Sequence, residues 1–219
     1  MALRILLALA ILLFGGDGHL SAQPADTLLA AAARGDVERM RELAADRTLI
    51  NARDERGRTA LLIATHRNDV AMAKILIAAG ADVNAEDALQ DSPYLYAAAE
   101  GRLEILRLTL AAGADLSSVN RYGGTGLIPA AHHGHVETVR ELLKTGIAID
   151  HVNRLGWTAL LEAVILGDGG PNYVEIVQML IDAKADVSLA DSGGISPLAH
   201  AKRRDFREIA SALRAAGAN

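Results

Sequence analysis

Apolar positions along this chain recur with helical spacing, in short paired runs. Val70, Ala73, Ile75 and Leu76 form one run, and Val136, Val139, Leu142 and Leu143 another, each placing its apolar side chains on one face of a helix. A second kind of run precedes each of these and opens at Thr59, Ser92, Thr125, Thr158 or Ser196, where a hydroxyl accepts from the unpaired amides of a first turn. Pro93 and Pro197 follow directly, at the helical position where a missing N–H is harmless. Ala64, Ala97, Ala130, Ala163 and Ala201 recur inside these first helices and leave room for close helix approach. Gly101, Gly134 and Gly167, with Asn68 and Asp205 in the same register, end them; these residue types tolerate a left-handed backbone. Gly80, Gly113, Gly146, Lys184 and Gly217 end the second helices at separations of 33, 33, 38 and 33. Asp54, Asp87, Asn120, Asn153 and Asp191 repeat the same intervals. A helix pair of this size buries its apolar face only against the next pair, so the pattern predicts a stacked, curved solenoid.

The period of 33 residues, with openings such as GRTALLIAT, GWTALLEAV and GISPLAHAK and closings such as AAGADVN and AAGADLS, resembles the ankyrin repeat from Ala25 to Asn219. The resemblance implies an all-α solenoid of about six helix-turn-helix units with short β-turn or hairpin tips. The units are expected at about 26–53, 54–86, 87–119, 120–152, 153–190 and 191–219, the first and last being polar caps. Two local departures are expected. Gly126 and Pro129 should weaken or kink the first helix of the fourth unit. The fifth unit carries five extra residues, Asp168 to Asn172, read as either a solvated turn or a contact loop with Tyr173 at its base.

Residues 1–22 differ in kind from the rest. Arg4 precedes an apolar run from Ile5 to Phe14, then Gly15, Gly16 and the small pair Ser21–Ala22. This is the layout of a secretory signal peptide cut after Ala22, and the run is about half what a membrane span needs. The expected mature chain is 23–219, exported to a periplasm or secreted. The full chain's 27 acidic and 22 basic side chains, net charge -5, and 3% aromatic content argue against nucleic acid as a partner. Alanine supplies 42 residues, a helical composition. The chain has no cysteine, which excludes disulfides, thiol nucleophiles and cysteine-type zinc sites.

Little catalytic chemistry is legible. His132, His133 and His135 are the one cluster of metal-ligand type, but Gly134 breaks the helix between them and neighbouring helical side chains diverge by about 100°, so no metal site is expected. YGGTG, Tyr122 to Gly126, lacks the strand before and the lysine after that a phosphate loop needs. No nucleophile elbow or metalloprotease motif is present; the expectation is a non-enzyme without cofactors.

The ankyrin resemblance instead implies binding of another protein by the tips and the exposed side of the first helices. Carried over position by position, this surface holds Arg56, Arg58, Leu89, Arg121, Tyr122, His132, His133, Arg154, Leu155, Trp157, Ile165 and Leu166. Tryptophan, tyrosine and arginine dominate interface energetics. Trp157, Tyr122, Leu155, Ile165 and Leu166 are expected to anchor a partner, and Arg56, Arg58, Arg121 and Arg154 to steer one bearing an acidic patch. The protein is expected to be a monomer. The alternatives are a secreted effector acting on a host protein, or a metal- or small-molecule-binding protein built on His132 and His133.

Overall fold

A computed structural model of the protein describes residues 24–219; the candidate signal peptide lies outside the described residues. Six helix pairs follow one another: α1 (Pro24–Arg34) with α2 (Val37–Leu43), α3 (Ala60–His66) with α4 (Val70–Ala78), and α5 (Pro93–Ala99) with α6 (Leu103–Ala111). Then come α7 (Leu127–His132) with α8 (Val136–Leu143), α9 (Ala159–Leu166) with α10 (Pro171–Asp182), and α11 (Pro197–Arg203) with α12 (Arg207–Ala215). The odd-numbered helices pack successively on one another in one layer and the even-numbered helices in a second. None of the described helices is long and apolar enough to cross a membrane.

The hydroxyl register works as caps. Thr59, Ser92, Thr158 and Ser196 accept from the backbone amides of Leu62, Leu95, Leu161 and Ala199 at 3.1–3.3 Å. Thr125 is the exception, and the expected cap there is corrected. Its buried Oγ1 has no hydrogen-bond partner, and α7 begins only at Leu127. Pro129 has no N–H to give the Thr125 carbonyl; Ile128 donates to it instead, at 3.1 Å, in a tighter turn. Gly126 is needed for space, since a Cβ there would lie 2.9 Å from Oη of Tyr94, which is fully buried.

The Asp/Asn register builds the tips. One side-chain oxygen of Asp54, Asp87, Asn120, Asn153 and Asp191 accepts from the amides two and four residues on, at 2.8–3.1 Å. Neighbouring tips are tied by Ala88 N–H to Arg56 O and Arg154 N–H to Tyr122 O, both 2.9 Å. Among the described residues the tips are turns, with a single isolated bridge between Arg53 and Thr59.

Two glycines depart from their expected backbone. Gly101 and Gly134 are left-handed, as are Asn68 and Asp205, but Gly167 sits at φ -65°, ψ 167°. α9 runs to Leu166, and the left-handed turn moves to Gly169. Gly146 has no positive φ, whereas Lys184 takes φ 72° in the same register.

The insertion is likewise not all loop. Pro171 opens α10, which is 12 residues long, so Pro171, Asn172 and Tyr173 form an added first turn. Tyr173 reaches back to the previous unit and its hydroxyl donates to His132 O at 2.8 Å. The turn itself is covered, because Phe206 of the last unit packs over Gly169.

Candidate functional site

Between the tips and first helices of the third, fourth and fifth units lies a groove of about 370 Å³. Stacking of α5, α7 and α9 sets its floor, and the Asn120 and Asn153 turns set its wall. Tyr122, Leu155 and Leu166 stand on it with 55%, 48% and 41% of their surface exposed. Large side chains held this far into water by a rigid scaffold are the material of a recognition surface.

Of the residues chosen from the sequence, Arg121, Tyr122, His132, His133, Leu155 and Leu166 line this groove together. Leu89 is exposed beyond its lining. Trp157 and Ile165 are half-buried and outside the lining as well. Ile165 O accepts from the Arg204 guanidinium. The arginines differ in how far their charge is already used. Arg58 pairs with Asp54 at 2.7 Å and Arg121 with Asp91 at 3.2 Å. Arg56 and Arg154 are exposed and in no ion pair among the described residues.

The histidine rings approach more closely than helical divergence predicts. The centroids of His132 and His133 are 4.6 Å apart and those of His133 and His135 5.7 Å. His135 nevertheless turns away to the preceding unit, where its ring packs over Gly101. No group of three or more His, Cys, Asp and Glu among the described residues is placed to hold a metal ion.

Sequence reasoning missed the floor of the groove. Glu162 on α9 is only 5% exposed. Its Oε1 accepts from Asn153 Nδ2 at 2.8 Å, and its Oε2 lies 3.3 Å from His132 Nδ1. Burial pushes its pKa up to about 7, against the lowering effect of the Asn153 hydrogen bond. Burial, then the neighbouring His133, lowers the His132 pKa, so both shifts favour the neutral forms, an uncharged imidazole facing a carboxyl that holds its proton more tightly than a free one. Across the groove, burial raises the Asp91 carboxyl although Arg121 opposes it. The signal for Glu162 was present in the sequence, since ALLEAVIL is apolar all round except for this one residue. A helix apolar on every face is buried, so its single carboxyl must end inside. Chemically the site can hold and exchange a proton, but its lining contains no serine, threonine or cysteine nucleophile.

The family pattern described as ankyrin repeats (3 copies) matches residues 5–87 and 94–191, well over half of the chain. The chain belongs to the ankyrin repeat family. Among solved structures this ankyrin repeat protein is similar to an ankyrin repeat domain, ABAYE2397, from Acinetobacter baumannii AYE. The two share 58% identity over 88% of this chain and 98% of that one, with a TM-score of 0.86. It is similar to the ankyrin repeat protein EF0377 at 42% identity, over 89% and 98% of the two chains, with a TM-score of 0.85. The ankyrin repeat domain of Bcl-3, a member of the IkappaB protein family, matches at 25% identity over 88% and 86%, with a TM-score of 0.79. The putative ankyrin repeat protein YahD of Escherichia coli K12 is 47% identical over 57 residues, which span 26% of this chain and 28% of that protein. Ankyrin repeats mediate protein–protein interaction and are generally not catalytic.

Proposed function

We propose that this ankyrin repeat protein is an exported, monomeric, non-enzymatic module that binds one partner protein through the groove across its third to fifth units. The observation that carries this reading is the convergence of Tyr122, Leu155 and Leu166 on one rigid concavity. Exposed aromatic and aliphatic anchors over a preorganised pocket are the usual source of affinity between proteins. Arg56 and Arg154 on the tips give an acidic patch on the partner somewhere to settle, while Arg58 and Arg121 bring less net charge because Asp54 and Asp91 already pair with them. Export is supported by Arg4 and the apolar run from Ile5 to Phe14, the layout of a cleavable signal, and implies a periplasmic or secreted protein.

The test is affinity capture of the tagged protein from its native envelope and secreted fractions, beside a Leu155→Ser/Leu166→Ser variant and a Trp157→Ala variant. A partner retained by the parent and lost from the double variant, with helicity unchanged, supports the groove. Retention by the double variant would move the interface elsewhere, and loss only from Trp157→Ala would put it on the tip of the fifth unit. N-terminal sequencing of the same material should begin at Gln23. Recovery of the intact N-terminus would overturn the cleaved signal.

A further inference from the structure

The groove has a charge that its own residues leave unanswered. Three carboxyl groups line it, Asp91, Glu100 and Glu162, against one guanidinium, Arg121, and Arg121 is engaged by Asp91. Glu162 is the most enclosed of the three, and both groups it touches, the Asn153 amide and the His132 imidazole, are poor substitutes for a cation. Aromatic rings stand at the same opening, Tyr96 from the third unit and Tyr122 from the fourth. One face of each is already in use, Tyr96 against the His66 ring and Tyr122 beneath the Arg121 guanidinium, so the rings serve as apolar wall. A desolvated carboxyl within such walls suits an ammonium or guanidinium on an aliphatic stem, which the walls can cover.

We infer that the groove floor receives one lysine or arginine side chain of the partner polypeptide, with Glu162 as its counter-ion and Tyr96 and Tyr122 flanking its stem. This rests on the groove being the partner site. It adds the chemistry of what enters: a basic side chain inserted from a partner whose surrounding surface meets the arginine tips. Arrival of the cation favours the carboxylate form of Glu162, so binding releases a proton wherever the unoccupied groove holds one. Other titratable groups around α9 leave this pairing in place. His132 at the end of α7 and His133 just after it line the same groove, and burial keeps His132 from charging readily. His200 on α11 is held by Asp191 at 2.8 Å, and Arg204, which follows α11, by the Ile165 carbonyl. On α10, Tyr173 is tied to His132 O. Across the groove Arg121 stays with Asp91, leaving Glu100 on the rim as the second carboxyl available to the incoming charge.

The experiment is an NMR titration of the purified protein, observing the Glu162 carboxyl carbon and the amides of Asn153 and Glu162. The probes are acetyl-Gly-Gly-Xaa-Gly-Gly-amide peptides with Xaa lysine, arginine or norleucine, and n-butylamine. Lysine and arginine peptides should bind with Kd on the order of millimolar, and norleucine, of similar length but neutral, at least about tenfold more weakly. With a Glu162 pKa of about 7, affinity for the lysine peptide should rise about tenfold between pH 6 and pH 8, because the ionised fraction of the empty site rises by that factor. Glu162→Gln should remove both the preference and the pH dependence, and Glu100→Gln should weaken binding by a smaller factor. Equal binding of lysine and norleucine peptides, or no response to either basic peptide, overturns the inference on the unaltered protein alone, whatever the variants do. Butylamine binding as tightly as the peptide overturns the polypeptide assignment in favour of a small-amine site. A native partner lost on Leu155→Ser/Leu166→Ser but indifferent to Glu162→Gln overturns this inference and leaves the groove reading standing. Indifference to both overturns both.

Discussion

A carboxyl withdrawn from water among neutral partners keeps its proton to a higher pH, and Glu162 makes that cost visible. Its pKa is about 7 in the folded protein against an ordinary value of 4.5, so the folded state binds the proton more tightly than the unfolded chain does. The contribution of this group to stability is therefore fully present below about pH 4.5 and drains away as the pH rises through 7. With allowance for partial hydration, the loss is on the order of 2 kcal/mol by pH 8. Glu162→Gln should melt with the parent at pH 5 and about 4–8 °C above it at pH 8, measured by circular dichroism. Equal destabilisation at both pH values would mean that packing, and not charge, governs the position. His66, His132 and His135 act in the opposite direction. Burial lowers all three, so their share of stability is present above about pH 6.5 and is lost as the pH falls. The variant leaves that acid limb of the profile in place.

At the scale of the element, the five-residue insertion shows where a repeat pattern stops being informative. Its existence and limits follow from the 38-residue interval between Gly146 and Lys184. Its structure does not, because Pro171 and Tyr173 are drawn into α10 by contacts with units that lie 38 or more residues away in the chain. What remains is a turn pinned from above. A Cβ on Gly169 would lie 2.3 Å from Cδ1 of Phe206, whose ring also carries the Arg204 guanidinium 4.6 Å from its centroid. Gly194 has the same φ of 75° but nothing within 4 Å of its missing Cβ. Both Gly→Ala changes meet the backbone strain of a left-handed residue, about 1–2 kcal/mol. Gly169→Ala should cost about 1–3 kcal/mol more than Gly194→Ala, the usual range for overpacking, in urea melts of the two variants. Equal losses would make the insertion a solvated turn. The short α7 is the complementary case: Gly126 and Pro129 were legible as weak points, whereas the reason for Gly126, the buried Tyr94 hydroxyl, is a contact across 32 positions.

Over the whole molecule, what was legible is what the repeat enforces: helix pairs, capping hydroxyls and the tips built on Asp54, Asp87, Asn120, Asn153 and Asp191. The site was legible only in part. Exposed positions follow from register, so Tyr122, Leu155 and Leu166 could be chosen, but pairings between units, such as Arg121 with Asp91 or Glu162 with His132, depend on side-chain reach that register does not contain. Position along the stack matters to function for the same reason. α8 packs on both α6 and α10, whereas α12 packs mainly on α10 and its own partner α11. Leu142 on α8 and Leu213 on α12 occupy equivalent positions and are both fully buried. Truncating either to alanine removes about 2–5 kcal/mol of packing, but in a stack held by nearest neighbours the loss spreads only through the interfaces that the residue supports. Hydrogen exchange should therefore show Leu213→Ala opening residues 191–219 while the groove keeps its protection and its partner. Leu142→Ala should lower protection across 87–190 and weaken partner binding together with it. Global loss of protection in Leu213→Ala would mean that the six units fold as a single cooperative block, and a groove in the middle of the stack would then have no shelter from fraying at its ends.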